Sequence, residues 1–129
     1  MNPGFQTLKD LLTKNIETSR GYTSDPASAP ALYLIEGEGE QGVRRYSENY
    51  ANGIQKVLDK LTPAINANDL EAFEEARLAI KAEYDRYLGA VSDINANDTF
   101  VTEGMGRAID LVDIVERQIG FTETSAPTM

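Results

Sequence analysis

Three glycines of this chain, Gly37, Gly39 and Gly42, have the spacing of a dinucleotide-binding turn. They follow a short apolar run and precede a helical pattern, the context in which glycines let the backbone approach a pyrophosphate at a helix N-terminus. The same segment, however, carries glutamates that would repel this anion, at positions 36, 38 and 40. The rest of the chain has helical periodicity and offers no parallel sheet to hold such a turn. We therefore interpret the segment as an acidic hinge and predict no cofactor.

Carboxylates occur in three groups, and carboxylates are the side chains that bind Ca²⁺ or Mg²⁺ and act in acid–base catalysis. The alternating glutamates of residues 36–40 superficially match calcium ligands, but calcium loops favour Asp or Asn followed by a bidentate Glu well downstream. The second group suits the positive N-terminal end of a helix and the third a solvent-exposed helix face. These two groups are Glu71, Glu74 and Glu75, and Asp110, Asp113 and Glu116. We predict neither a catalytic residue nor a metal ligand among them.

The composition excludes many functional classes. The 129 residues include no Cys, His or Trp, so Ser-His-Asp and Cys-His catalysis and most zinc, haem and iron–sulfur sites are ruled out. A hydrophobic fraction of 41% and a charged fraction of 26% are ordinary for a globular domain. Lys and Arg number 12 against 21 Asp and Glu, a net charge of −9 that argues against nucleic acid and anionic membranes as partners. The chain is predicted not to be an enzyme.

Targeting signals are also missing from the sequence. No apolar run approaches the length of about 20 residues that a membrane span needs, and the N-terminal residues lack the apolar core of a signal peptide. We therefore expect no membrane partner and no secretion by a signal peptide. The expected location is the virion if the protein is viral, and otherwise the cytoplasm.

An N-terminal helix is predicted over residues 1–21. Asn2 can cap it, and Pro3 suits the first helical position. Apolar residues then recur every three or four positions, at Phe5, Leu8, Leu12 and Ile16. Gly21 followed by Tyr22 has the pattern of a helix C-terminus.

Three further helices are predicted in a bundle over residues 43–121. The first runs from Val43, and Thr62-Pro63 ends or bends it, with one extra turn possible over 64–67. Asn68 and Glu71 form a capping box for the next, which runs to about Val91. Its apolar stripe includes Leu70, Phe73, Ile80, Tyr84, Tyr87 and Leu88.

The last helix is predicted to be the most buried element, because apolar residues cover much of its circumference. Its cap is one of residues 97–99, and Gly104 and Gly106 would let another helix approach closely. On its exposed side we predict two ion pairs between successive turns, Glu103–Arg107 and Asp113–Arg117. Gly120 followed by Phe121 predicts its end, and a tail covers residues 122–129.

Residues 22–42 form a long connection that we interpret as an extended arm, rich in Pro and Ser and then in Gly and Glu. Connections of this length are usually functional or disordered. The arm contains an apolar, β-prone run that either folds back across the bundle or contacts another chain. The predicted partner-binding residues are Leu32, Tyr33, Leu34 and Ile35 of this run, together with Phe121.

The predicted fold is all-α, a small helical bundle of three main helices plus an N-terminal helix, with the arm between the first two. In composition and layout the chain resembles small phage virion proteins. This resemblance implies a non-enzymatic structural protein that assembles with neighbouring protein subunits through its arm and tail. The alternative is an acidic helical binder or inhibitor of a basic protein, which the net charge of −9 favours.

Overall fold

The computed structural model describes residues 2–35, 37–90 and 96–121, which form four α-helices and no strand. The helices are α1 (Pro3–Ser24), α2 (Gly39–Asn66), α3 (Leu70–Ala90) and α4 (Ala96–Gln118). Two short 3₁₀ turns, Pro26–Ser28 and Ala31–Tyr33, lie between α1 and α2. The predicted all-helical bundle is confirmed, whereas the predicted tail over 122–129 lies outside the described residues. No helix in the described ranges is both long and apolar enough to cross a membrane.

The start and the buried face of α1 agree with the sequence prediction. The Asn2 side chain accepts a hydrogen bond from the Gly4 backbone N–H at 3.0 Å, and Pro3 occupies the first turn. The buried positions include all four residues of the predicted stripe, Phe5, Leu8, Leu12 and Ile16. The helix therefore packs its apolar face into the core as its periodicity indicates.

The predicted end of α1 at Gly21 is wrong, because the helix continues to Ser24. Gly21 does not adopt the left-handed conformation of a C-terminal glycine. Two later interactions satisfy the carbonyl groups of the last turn instead. The Thr23 hydroxyl donates to the Arg20 carbonyl oxygen at 2.6 Å, and the Arg44 Nε donates to the Thr23 carbonyl oxygen at 3.1 Å. The second of these comes from α2, so the sequence around Gly21 does not reveal it.

Helix α2 continues through Pro63 for one more turn, to Asn66, within the alternatives that the sequence left open. Proline provides no N–H to the helix, and the Thr62 hydroxyl donates to the Leu58 carbonyl oxygen at 2.6 Å in the same turn. The turn beyond Pro63 buries Ala64 and Ile65. Burial of these two side chains accounts for the continuation of the helix.

The junction between α2 and α3 differs from the predicted capping box by one residue. The Asp69 side chain, not that of Asn68, caps α3 by accepting the Ala72 backbone N–H at 3.1 Å. Asn68 adopts a left-handed backbone with φ of 53°, and its Oδ1 accepts the Asn2 backbone N–H at 2.8 Å. This hydrogen bond between Asn68 and Asn2 ties the start of α1 to the junction.

Helix α2 is the centre of the bundle, since it packs against α1, α3 and α4. It buries side chains along its whole length, from Val43 to Ile65, so it and not α4 is the most buried helix in the described ranges. The last helix begins at Ala96, which places the predicted cap residues 97–99 inside the helix.

Helices α2 and α4 cross at two glycines. A Cβ on Gly53 would lie 2.9 Å from the Gly104 Cα and would overlap the Val101 carbonyl oxygen. A Cβ on Gly104 would overlap the Tyr50 carbonyl oxygen in the same way. The predicted close approach at Gly104 is confirmed, and Gly106 meets the Tyr84 phenol ring.

Helix α3 lies at the edge of the bundle. Phe73 and Ile80 are buried, but other members of its predicted stripe, Leu70, Tyr84 and Tyr87, are only half-buried. Leu88 is 50% exposed, and Leu78, outside the stripe, is 70% exposed. The predicted end of this helix at Val91 lies outside the described residues.

Candidate protein contact site

The connecting segment, residues 25–38, is anchored to the bundle by one aromatic side chain. Tyr33 is buried, and its ring centroid lies 5.1 Å from that of Tyr22, 5.0 Å from Tyr46 and 5.8 Å from Tyr50. The Phe100 ring of α4 completes this aromatic cluster, 4.7 Å from Tyr46. Aromatic pairs at such distances and tilted angles are favourable beyond the area that they bury.

Hydrogen bonds satisfy the polar ends of this cluster. The Tyr46 hydroxyl donates to the Glu103 Oε2 at 2.6 Å. The buried Ser19 hydroxyl of α1 donates to the Ser47 carbonyl oxygen of α2 at 2.8 Å. The predicted Glu103–Arg107 ion pair is therefore replaced by a contact between helices.

Two glycines shape the end of the connecting segment. Gly37 and Gly39 have φ values of 81° and 59°, a backbone region that residues with a Cβ rarely adopt. Position 42 has room only for glycine, because a Cβ there would lie 3.1 Å from the Ile35 Cβ and 2.7 Å from the Glu38 Cβ. The glycine spacing thus has a structural cause. Gly37 and Gly39 turn the chain into α2, and Gly42 allows the connecting segment to pack against the first turn of that helix.

An ion pair fastens the same turn. The Arg45 guanidinium contacts both oxygens of the Glu38 carboxylate, at 2.8 and 2.9 Å. Both side chains are partly solvent-exposed, so the pair contributes little energy on its own. With Tyr33 buried on one side and Glu38 paired on the other, the residues between them are held at both ends.

Four of the five predicted partner-binding residues have described side chains, and these separate into three groups by burial. Tyr33 is buried in the aromatic cluster, and Phe121 is buried beneath the other end of the bundle. Ile35 is half-buried against α2, whereas Leu34 is 64% exposed. The Leu32 side chain lies outside the described residues. Leu34 is therefore the one large apolar side chain of this set that is presented to solvent within the described residues.

Phe121 belongs to a second aromatic group, with Phe5 and Phe73. Its ring centroid lies 5.7 Å from Phe5 and 4.7 Å from Phe73, and those two rings are 4.6 Å apart. Gly120 has the left-handed φ of 85° predicted for the end of α4, and the chain then turns across the start of α1. A Cβ on Gly4 would lie 2.8 Å from the Phe121 ring, so this glycine allows the ring to pack there.

Sequence reasoning missed an ionic cluster that joins α3 to α4. The Arg77 guanidinium contacts Asp113 at 2.6 Å, Glu116 at 2.9 Å and Glu74 at 3.6 Å. Hydrogen bonding to Glu116 raises the pKa of Arg77, and the same contact lowers the pKa of the Glu116 carboxyl. Asp113 thus pairs across helices and not with Arg117 as predicted. No group of three carboxylates in the described residues converges to hold a metal ion.

Comparisons with known proteins give no relative on which to base an assignment. No family model matches the chain, and neither the curated proteins nor the solved structures contain a significant match to it.

Because of the aromatic cluster, we expect the protein to become less stable at alkaline pH. Burial raises the pKa of Tyr33, Tyr46 and Tyr50, and at Tyr46 the hydrogen bond to Glu103 adds to the rise. Because the folded state holds these protons more tightly, their contribution to stability is complete below about pH 10 and is lost at higher pH. We expect the free energy of unfolding in urea to fall as the pH rises above about 10. The fall should be shallower in Tyr46→Phe, and equal slopes in both proteins would contradict the assignment.

Proposed function

We propose that this chain is a non-enzymatic structural protein that associates with other copies of itself in a larger assembly. The observation that carries the proposal is Leu34, an exposed leucine held between the buried Tyr33 and the Glu38–Arg45 pair. An apolar side chain on an anchored segment contributes to binding without a large loss of conformational freedom. Its neighbours in sequence, Leu32 and Ile35, complete the proposed contact segment.

Two exposed leucines on α3 support assembly and not only dimer formation. Leu78 and Leu88 of α3 are 70% and 50% exposed, and they lie on a different element from Leu34. A copy with two distinct contact surfaces can bind one neighbour through each of them, which is how rings and filaments form. Composition and layout similar to small phage virion proteins make a viral particle the assembly that we propose.

The native mass of the full chain tests this proposal. Light scattering coupled to size-exclusion chromatography should give a defined oligomer whose population grows with concentration. Added salt should strengthen association, because it screens repulsion between chains of net charge −9. A monomer at every concentration and salt would contradict self-assembly.

A pair of variants tests the role of Leu34 in that oligomer. We expect Leu34→Asp to weaken association by about tenfold or more, through loss of an apolar contact and burial of a charge. Ala27→Asp is the matched control, because Ala27 is an exposed residue of the same segment and receives the same charge. Equal effects of the two variants would show that charge, and not the leucine, controls assembly.

The outer face of α3 favours a second candidate function, binding to a basic protein. Leu78 lies on this face with four exposed carboxylates one or two turns away, those of Glu71, Glu74, Glu75 and Asp85. An apolar residue among acidic ones complements a basic amphipathic partner. Salt distinguishes the two candidates, since binding to a basic partner weakens as salt rises whereas self-association strengthens.

A further inference from the structure

A cavity of about 540 Å³ lies where α1, the connecting segment, α2 and α4 meet. Its polar lining comes from Lys14, Asn15 and Thr18 of α1, Tyr33 and Tyr50, and Arg107 of α4. Leu11 and Pro30 contribute apolar surface. The cavity is open to solvent, since Lys14, Thr18, Pro30 and Arg107 of its lining are exposed, and its volume is within the range of small-molecule sites in proteins.

Two positive charges line this cavity in a chain whose net charge is −9. None of the ion pairs within residues 2–35, 37–90 and 96–121 engages Lys14 or Arg107. Two carboxylates of α4, those of Glu103 and Asp110, lie within one turn of Arg107, and neither forms an ion pair with it in the described part of the chain. Glu103 accepts the Tyr46 hydroxyl instead, so the Arg107 guanidinium is available to an anion.

Arg107 is also electrostatically coupled to both phenols of the cavity. Burial raises the pKa of Tyr33 and Tyr50, and the positive charge of Arg107 opposes that rise at each. The Tyr50 ring lies 5.6 Å from that of Tyr46 in a stacked pair, which fixes its position in the cavity wall. The cavity thus combines a forked cation with rigid aromatic surface.

A second cavity, of about 410 Å³, adjoins the first and shares Tyr50 and Arg107 with it. Glu103 and Asp110 line this second cavity, and both carboxylates raise the pKa of Tyr50. They therefore act on the same region as the two cations and offset part of their charge. A ligand with one negative charge suits this balance of charges better than a ligand with two.

We propose that the cavity between α1 and α4 binds a small aromatic carboxylate. The guanidinium of Arg107 pairs with the carboxylate in the planar geometry that arginine favours, and Lys14 adds a second positive charge. The aromatic body of the ligand lies against Tyr33, Tyr50 and Leu11. Bound ligand would contact Pro30 and Tyr33 of the connecting segment, and so would brace that segment against the bundle.

Calorimetric titration of the full chain with 2-naphthoate tests the proposal. We expect saturable binding of 2-naphthoate, binding at least about tenfold weaker for the neutral 2-naphthamide, and weaker binding of the dianion phenyl phosphate. Equal affinity for acid and amide would overturn the role of the cations, and tighter binding of phenyl phosphate would overturn the choice of a monoanion. No binding of 2-naphthoate at millimolar concentration would overturn the site.

Two arginine variants locate the site on the molecule. Arg107→Met should weaken 2-naphthoate binding by at least about tenfold, because it removes the paired cation and retains an apolar side chain. Arg86→Met removes an exposed arginine of α3 that does not line the cavity, and should leave the affinity unchanged. Equal losses in both variants would assign the effect to net charge and would contradict a site at Arg107. Circular dichroism of each variant establishes that it is folded.

Discussion

Replacing Gly104 by alanine should destabilise the bundle by about 3 kcal/mol or more, a large part of the total stability of a domain this small. The new Cβ would overlap the Tyr50 carbonyl oxygen and lie 3.1 Å from the Gly53 Cα. These are backbone atoms of α2, so no side-chain rotation relieves the overlap and the two helices must separate. Separation would loosen the contacts of buried neighbours such as Met105 and Ala108. Urea unfolding measured by circular dichroism gives the loss directly.

Gly21→Ala is the matched control, and its effect should have the opposite sign. Gly21 lies inside α1, is exposed, and has open space where its Cβ would be. Alanine is favoured over glycine in a helix interior by about 1 kcal/mol, so this variant should be more stable than the parent. A stable Gly104→Ala protein would mean that α2 and α4 do not cross at this residue.

The double variant Gly53→Ala with Gly104→Ala examines the same crossing. Both substitutions separate the same pair of helices, so the second should cost less once the first is present. If the losses in free energy of unfolding of the two single variants simply add, the two glycines act at independent places in the fold.

The stripes of α1 and α2 were predictable because helical period reports which face is buried. The extent of burial was not, and α3 illustrates why. Its stripe includes Leu88 and Tyr84, yet Leu88 is 50% exposed, since the bundle offers too little surface to cover a helix at its edge. Periodicity identifies a face, and the packing of the other helices determines how much of that face is enclosed.

The partners of charged side chains were predicted less well than the helices. Opposite charges four residues apart on one helix commonly pair, and this spacing predicts the pairs Glu103–Arg107 and Asp113–Arg117. In the structure Glu103 accepts the Tyr46 hydroxyl, and Asp113 contacts Arg77. Both actual partners come from other helices, more than 30 residues away in sequence. Sequence spacing along one helix contains no information about such contacts.

The contact segment shows a similar limit. Four consecutive apolar residues, Leu32–Ile35, predict a sticky segment but do not indicate which side chain enters the core. Tyr33 does so because it completes a cluster with tyrosines of α1 and α2, and the next residue then faces solvent. The tyrosines at positions 46 and 50 were visible on the apolar stripe of α2, but their meeting with residue 33 required the fold.

Replacing Phe5 by alanine should cost about 3–5 kcal/mol, the range for truncating a fully buried aromatic side chain. Phe5 is fully buried, and it contacts the rings of both Phe73 and Phe121. Its loss would leave a cavity that joins the start of α1, the start of α3 and the residues after α4. Urea unfolding again measures the change.

Leu78→Ala provides the comparison for Phe5→Ala. Leu78 is 70% exposed, so its truncation should change stability by no more than about 0.5 kcal/mol. A cost below about 1 kcal/mol for Phe5→Ala would contradict its place in the core.

The double variant Phe5→Ala with Phe121→Ala tests whether the residues after α4 belong to the bundle. If Phe121 packs on Phe5 as described, removing one ring loosens the packing of the other, and the combined cost should be smaller than the sum of the two single costs. Additive costs would instead mean that the two rings do not share a contact. The cost of Phe121→Ala alone then decides between a core residue and a contact residue, because a side chain that is buried and also packs on Phe73 should cost several times more to truncate than an exposed one.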